Sequence, residues 1–208
     1  MSEMDESSLS AAEDAAPVRK RPRPGERRQQ ILQTLASMLE QPGAERVTTA
    51  SLAAKIGVSE AALYRHFASK AQMFEGLIDF VDQSVIGLIR QVTDREPVGP
   101  NQAARIVALL LQFAEKNPGM CRVMTGDALV LEHERLQERI NLLFDKIEAQ
   151  LRQSLREANA ASSTPTVDTQ VQASVLVAFM QGRLQRFVRS GFKREPSEHL
   201  QAALARML

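Results

Sequence analysis

Apolar residues recur every three or four positions along most of the chain, which is the spacing of amphipathic helices rather than the alternation of strands. Residues that cap or break helices divide this pattern at regular points. The predicted helices cover 26–39, 50–56, 59–67, 69–91, 101–116, 120–131, 133–157, 168–190 and a short last segment ending at residue 208. We therefore expect an all-α fold of about nine helices, three short ones followed by longer ones.

Two of the short helices are separated by a tight turn, which predicts a helix-turn-helix in the run TTASLAAKIGVSEAALYRHF. Thr48 and Thr49 offer hydroxyls that can cap the first helix, and Ser59 can cap the second. Gly57 lies between the two helices, where a residue without a Cβ atom tolerates the left-handed backbone that a reversal needs.

The second of these helices is predicted to have one buried and one exposed face. If Leu63 and Phe67 face the core, the opposite face presents Ala61, Tyr64 and Arg65. Such a helix is small enough to enter a major groove, and alanines near its start allow close approach to base edges. The residues expected to contact DNA are Thr48, Thr49, Ser59, Ala61, Tyr64, Arg65, His66 and Lys70.

Several of these residues allow a second interpretation. Tyr64 is either a phosphate contact or an amphipathic ring at the edge of the core. His66 is either a phosphate donor or a histidine at the core edge. Thr48 is useful as a cap whether or not it also touches phosphate, and Lys70 would add its charge to the start of the next helix.

The charges are distributed unevenly. The whole chain holds 26 Lys and Arg against 25 Asp and Glu, but residues 18–70 hold ten bases and four acids, whereas 71–208 hold sixteen of each. Only the first third is therefore expected to meet a polyanion. Residues 1–24 are predicted to be a disordered tail, and the basic arm 19–28 is either a further DNA contact or a solvated segment.

The residue types that carry catalysis or bind metal are sparse. The three histidines do not pair, and the lone Cys121 occupies an apolar position typical of a core residue. Without a catalytic set or a glycine-rich phosphate loop, an enzyme is disfavoured, and neither a metal nor a cofactor is expected. The acidic start is unlike a signal peptide and no apolar run reaches membrane-span length, so we expect a soluble cytoplasmic protein without a membrane partner.

The run LAAKIGVSEAALYRHFASK and its surroundings, about residues 26–75, resemble the DNA-binding domain of the TetR family of bacterial regulators. The resemblance implies an Ω-shaped homodimer with a DNA-binding domain at 25–72 and a helical regulatory, partner-binding and dimerisation domain at 73–208. It also implies a palindromic duplex as the target.

A wider resemblance over about 26–196 points to the nucleoid occlusion members of this family. It is carried by ERRQQILQTLASMLEQ, the NPGM turn, RINLLFDKIEAQLRQSLRE and RFVRSGFKREP. It implies a nucleoid-associated dimer that restrains FtsZ, the tubulin-like division GTPase, with the number of dimers per DNA site left open. The alternative is a ligand-responsive transcriptional repressor, which the scarcity of aromatic residues in the body disfavours weakly.

The same resemblance implies a partner groove between helices 69–91 and 101–116. Its candidate residues are Phe80, Arg90, Lys116 and Asn117. Phe80 is otherwise a core residue, and the other three are otherwise solvated or capping positions at helix ends. Leu88 departs from the family pattern, because a polar or basic residue is expected near that position.

Helices 133–157 and 168–190 are expected to form a four-helix bundle with the same helices of a second subunit. Leu143, Ile147, Val175 and Phe179 are the interface candidates. The alternative is that these apolar stripes pack within one subunit.

Overall fold

The computed structural model describes residues 25–41, 46–160 and 168–208 of the 208-residue chain, and of 157–160 it describes the backbone only. These ranges contain nine α-helices, one 3-10 turn and no strand, which confirms the predicted all-α class. The α-helices are α1 Glu26–Leu39, α2 Thr49–Ile56, α3 Glu60–Tyr64, α4 Lys70–Thr93, α5 Pro100–Lys116, α6 Pro118–Met124, α7 Arg135–Ala160, α8 Thr169–Arg189 and α9 Leu200–Leu204, with the 3-10 turn at Asp127–Leu129. The predicted disordered tail at 1–24 lies outside the described residues.

Helix α2 is fixed at both ends by local hydrogen bonds. The Thr48 hydroxyl accepts the backbone N–H of Ser51, and the Ser51 hydroxyl accepts the N–H of Thr48, which makes a reciprocal capping box. At the other end Gly57 is left-handed, with φ 76°, and the N–H of Val58 reaches back to the carbonyl of Ala53 at 3.0 Å. This six-residue closure needs a residue without a Cβ at Gly57.

Helix α3 is shorter than the predicted 59–67. It ends at Tyr64, and the backbone N–H groups of His66 and Phe67 both bond to the carbonyl of Leu63. The bond from His66 spans three residues and the bond from Phe67 spans four, so the helix ends in a turn of mixed 3-10 and α spacing, which is common at helix ends. The side chain of Ser59 caps the helix as predicted.

Helices α4 and α5 begin differently from each other. Ser69 caps α4 by accepting the N–H of Gln72, but the Gln72 side chain accepts the N–H of Ala68 rather than that of Ser69. Helix α5 is predicted to begin at residue 101, and its start has no side-chain cap. The helix begins one residue earlier at Pro100, whose fixed φ and missing N–H suit a first helical position.

The predicted helix 120–131 is in fact α6 followed by the 3-10 turn, with a break at Thr125 and Gly126. Helix α6 begins at Pro118 and packs directly on α1. A Cβ atom at Gly119 would lie 2.3 Å from the carbonyl oxygen of Ala36, so only glycine allows this approach. This contact joins the helix-turn-helix unit to the body.

The body is built on α4, whose buried face lies against α5, α6 and α7. Its buried side chains are Met73, Phe74, Leu77, Ile78, Val81, Val85, Ile89 and Val92. Three ion pairs then join α4 to α7 in the order Glu75–Arg135, Asp79–Arg139 and Asp82–Lys146. Because both sets of numbers rise together, the two helices run in the same direction. None of the helices in the described ranges is both long and apolar enough to cross a bilayer.

Candidate nucleic-acid interface

The buried and exposed faces of α3 are those that the sequence predicts. Leu63 is 0% exposed and Phe67 is 1% exposed, whereas Ala61 and Arg65 are exposed. Tyr64 is 45% exposed, so part of its side chain faces solvent, and a phosphate contact by its hydroxyl stays a prediction. The outward face of α3 is therefore free to meet a ligand as large as a duplex.

The three hydroxyls near the helix starts are all engaged in local bonds. Those of Thr48 and Ser59 cap α2 and α3, and the Thr49 hydroxyl donates to the Glu60 carboxylate at 2.5 Å. The last bond ties the start of α2 to the start of α3. Glu60 was expected only as a first-turn acid, and its link to Thr49 has no signal in the sequence.

His66 is exposed, and its carbonyl oxygen accepts a hydrogen bond from the Arg28 guanidinium at 2.8 Å. The backbone of His66 is thereby fixed, while its imidazole stays on the surface. Of the arm predicted at 19–28, only residues from 25 onward are described, and Arg28 lies within α1 rather than in a free arm.

Lys70 is the first residue of α4, and its ammonium is paired. Its Nζ lies 2.5 Å from Oε1 of Glu132, and only 20% of its side chain is exposed. The same oxygen accepts Nε of Arg46 at 3.0 Å. A DNA contact by Lys70 stays a prediction, and Arg46 is a cation of this surface that sequence reasoning missed.

Phe80 and Asn117, two of the predicted partner residues, line one surface groove of about 440 Å³. Phe80 is 49% exposed, so the alternative that it is a core residue is wrong. The other lining residues are Gln29, Leu32, Gln33, Ala36, Ser37, Glu40, Leu77 and Met120. The groove thus lies between α1, α4 and the start of α6, and not between α4 and α5 as predicted.

Arg90 and Lys116 are both exposed but lie at opposite ends of the body. Arg90 is ten residues beyond Phe80 on α4, about 15 Å along the helix. Lys116 ends α5, next to Asn117, and the Asn117 side chain donates to the carbonyl of Phe113 at 2.7 Å. The structure therefore brings Phe80, Lys116 and Asn117 to one end and leaves Arg90 at the other.

Exposed apolar residues occur on both α7 and α8. Leu142 of α7 is 58% exposed; on α8, Val171 is 57% exposed and Val175 is 48% exposed, and Phe179, one turn further along, is partly buried. Leu143 and Ile147, which were expected in a subunit interface, are instead 1% and 0% exposed inside the subunit. The face of α7 that carries Leu143 and Ile147 packs inside the subunit. Leu142 lies on the exposed face of α7.

Cys121 is a core residue, as predicted, with 0% exposure. Burial, and secondarily the Asp127 carboxylate, raises the pKa of its thiol from 9.0 to about 12. No group of His, Cys, Asp and Glu that could hold a metal ion occurs in the part of the chain that the structure describes.

An exposed short helix after a tight turn, on an all-α body, defines a helix-turn-helix regulator of the TetR type. The family models agree, since residues 31–77 match "Bacterial regulatory proteins, tetR family" and 101–207 match the SlmA-like "Tetracyclin repressor-like, C-terminal domain". A putative TetR-family regulator from Rhodococcus has a TM-score of 0.71 at 18% identity, covering 88% of this chain and 99% of that one. A fatty-acid regulator, FadR from Bacillus subtilis, has 0.68 at 14% identity, covering 86% and 96%.

Two curated relatives are more similar in sequence. The nucleoid occlusion factor SlmA of Idiomarina loihiensis is 51% identical over 177 residues, covering 85% of this chain and 90% of that protein. The SlmA of Photobacterium profundum is 52% identical over 175 residues, covering 83% of this chain and 89% of that protein. The chain belongs to the SlmA family of nucleoid occlusion factors, within the TetR-type regulators.

Proposed function

We propose that this protein binds palindromic DNA on the nucleoid as a homodimer and, in that state, binds FtsZ and prevents the Z-ring and the septum from assembling over the chromosome. The observation that carries the proposal is the 51% identity to a nucleoid occlusion factor over 177 residues, spanning both the helix-turn-helix and the body. The protein acts in this proposal by binding and not by catalysis, and it acts in the cytoplasm.

The exposed face of α3 supports the DNA part of the proposal. Ala61, Tyr64 and Arg65 present small, hydroxyl and cationic groups on a helix that fits a major groove. Residues 25–72 would form the DNA-binding domain, and the contact residues would be those predicted from the sequence. Two such domains related by a two-fold axis require two half-sites on the duplex.

The exposed apolar face of α7 and α8 supports the homodimer. Leu142, Val171 and Val175 are each close to half exposed or more in one subunit. Large apolar side chains clustered on two long helices are typical of a subunit interface, where two helices from each copy make a four-helix bundle. We assign this face to the second copy of the chain.

The groove at Phe80 supports the FtsZ part of the proposal. An exposed phenylalanine and an amide in the groove, with the exposed Lys116 next to Asn117 in the chain, suit a short peptide that has an apolar anchor and an acidic group outside the groove. The groove lies against α1 of the helix-turn-helix unit, so the partner would bind near the DNA-facing end. Phe80, Lys116 and Asn117 are the proposed contacts, with Arg90 tested separately because of its distance.

Co-sedimentation with FtsZ polymers tests the proposal, with and without a duplex selected by the protein from a random-sequence library. The protein should pellet with FtsZ and, with DNA, reduce the pelleted polymer. Phe80→Ala and Lys116→Glu should abolish co-sedimentation while DNA affinity and dimer mass stay at wild-type values. Wild-type co-sedimentation by both variants would contradict the assignment of the groove at Phe80 as the FtsZ site. Failure of the unmodified protein to bind FtsZ would contradict the proposed function.

Two charge reversals define the extent of the surface. Arg105→Glu lies on the same helix as Lys116 and is also exposed, so it is the matched control and should bind FtsZ normally. Arg90→Glu should also bind normally if the groove at Phe80 is the whole site. A loss with Arg90→Glu would extend the contact along α4.

A ligand-responsive repressor is the second candidate function. The observation in its favour is a pocket of about 330 Å³ between α6, α7 and α8, lined by apolar and uncharged polar side chains including Ile140, Phe144 and Gln181. Pockets of this size and mixture accept small ligands. A thermal-shift screen against metabolites tests it, and a ligand that both stabilises the protein and releases DNA would favour this function.

A further inference from the structure

One carboxylate, that of Glu132, holds two cations that flank the helix-turn-helix. Oε1 of Glu132 lies 3.0 Å from Nε of Arg46 and 2.5 Å from Nζ of Lys70, and the Glu132 side chain is only 6% exposed. Arg46 precedes α2 and Lys70 begins α4, so the two cations stand at the entrance and the exit of residues 46–70. We refer to Arg46, Lys70 and Glu132 as the Glu132 cluster.

The loop that carries Glu132 is itself held by this cluster. Leu131 has φ +65°, which is unusual for a residue with a branched side chain. Its carbonyl oxygen accepts Nη2 of Arg46 at 3.0 Å, and the N–H of Glu132 bonds to the carbonyl of Leu129 at 2.9 Å. A strained backbone of this kind persists only where the surroundings over-determine it.

The ion pairs of Glu132 favour a rigid connection between the helix-turn-helix and the loop before α7. A carboxylate with so little exposure is poorly solvated, so separating it from its two cations would leave an uncompensated charge. Lys70 is further placed by the ring of Phe74, 5.6 Å from its Nζ. The helix-turn-helix therefore has a preferred orientation relative to the loop before α7.

Helix α7 also carries Leu142 of the proposed dimer face. Leu142 is ten residues from Glu132 along the chain, so a short segment links the Glu132 cluster to the two-fold axis. In a homodimer, the orientation of each helix-turn-helix relative to that axis sets the separation of the two α3 helices. One base pair moves a half-site by about 3.4 Å along the duplex and rotates it, so a rigid connection discriminates between spacings.

We propose that Glu132 is a positioning residue that selects the spacing between the two half-sites of the DNA target. It does so through Arg46 and Lys70, which it holds from the body, and not by touching DNA. This inference rests on the proposed function, because it needs a homodimer on a palindrome.

The test uses the palindromic duplex that the wild-type protein selects from a random library, together with versions whose half-sites are one base pair closer or farther apart. Wild-type protein should prefer the selected spacing. Glu132→Gln keeps the shape and removes the charge, and it should reduce that preference by at least about fivefold, since Arg46 and Lys70 are no longer held by a charge from the body. Affinity for a single half-site is measured alongside and should not fall, because the substitution removes a negative charge beside the DNA-binding domain and leaves the Lys70 ammonium available to phosphate.

Asp82→Asn is the matched control. Asp82 pairs with Lys146 at 2.8 Å between α4 and α7, about three helical turns beyond Lys70, so its loss should leave the spacing preference intact. Arg46→Gln is a second variant, for the case that Glu132→Gln does not fold, because the Arg46 side chain is 54% exposed. It should also weaken the spacing preference, though less than Glu132→Gln.

The outcomes separate the inference from the function on which it rests. Failure of the wild-type protein to bind any duplex contradicts the proposed function. DNA binding with no preference for spacing, or a folded Glu132→Gln with wild-type preference, overturns the role of Glu132 and leaves the function standing. If Glu132→Gln does not fold, a wild-type spacing preference in Arg46→Gln likewise overturns the role of Glu132 and leaves the function standing.

Discussion

The guanidinium of Arg28 lies 4.0 Å from the ring centroid of Phe67 and donates a hydrogen bond to the carbonyl oxygen of His66 at 2.8 Å. One side chain of α1 thus contacts both the ring that closes the small core and the backbone that follows α3. A cation at the end of a helix also opposes the negative end of its dipole. Arg28 therefore joins α1 to the exit of the recognition helix.

Replacing Arg28 by Met should lower the free energy of unfolding by about 1–2 kcal/mol, because a cation–π contact and a charged hydrogen bond are both lost. Urea unfolding measures the change. Arg27→Met is the control, because the bond that Arg27 makes among the described residues is to Gln30 one turn away, at 2.6 Å, and its loss should have little effect. Equal stability of the two variants would contradict the proposed role of Arg28.

The sequence predicts the existence of the helix-turn-helix well because its signals are local. The caps at Thr48 and Ser59 and the reversal at Gly57 each depend on residues fewer than six positions apart. Arg28 was grouped with a basic arm, since a run of arginines shows charge but not which distant carbonyl each one reaches. Its partner His66 is 38 residues away.

Replacing Tyr64 by Phe tests the DNA-facing side of α3. Tyr64 is 45% exposed, so loss of its hydroxyl should change stability by less than about 0.5 kcal/mol. Loss of a phosphate hydrogen bond should weaken DNA binding about three- to tenfold at every sequence tested. Fluorescence anisotropy with the selected duplex and with a scrambled one measures this, and wild-type affinity for both would remove Tyr64 from the interface.

Val175→Asp tests the dimer face. A buried charge on each side of the two-fold axis should dissociate the dimer, so light scattering should report the single-chain mass of 23.0 kDa. Val98→Asp is the matched control, because Val98 is 45% exposed against 48% for Val175 but lies between α4 and α5. A dimer in both variants would place the interface elsewhere.

Side-chain direction on long helices is predicted less well than helix position. Leu142 and Leu143 are adjacent in the sequence, but Leu142 is 58% exposed and Leu143 is 1% exposed. The apolar spacing of α7 places Leu143 on its main stripe, but it does not show that this stripe packs against helices of the same subunit and leaves Leu142 outside. The Glu132 cluster escaped prediction for a similar reason, since Glu132 is 86 residues from Arg46 and 62 from Lys70.

The buried thiol of Cys121 should make the folded protein lose stability at alkaline pH. Burial raises the pKa of its thiol from 9.0 to about 12 in the folded protein, whereas the unfolded thiol ionises near 9. Between these values the unfolded chain binds fewer protons than the folded one, so the contribution of Cys121 is complete below pH 9 and declines as pH rises toward 12. The slope from this group is at most about 1.4 kcal/mol per pH unit.

Cys121→Ala isolates this contribution from the titration of lysines and of Tyr64. The variant should be less stable than the wild type by about 1 kcal/mol at pH 7, because the buried sulfur no longer fills its site. Urea unfolding at pH 8, 9, 10 and 11 should show this difference falling above pH 9, reaching zero near pH 10 and reversing by pH 11, because only the wild type loses the contribution of the buried thiol. A difference that stays constant to pH 11 would mean that Cys121 ionises as readily in the folded protein as in the unfolded chain.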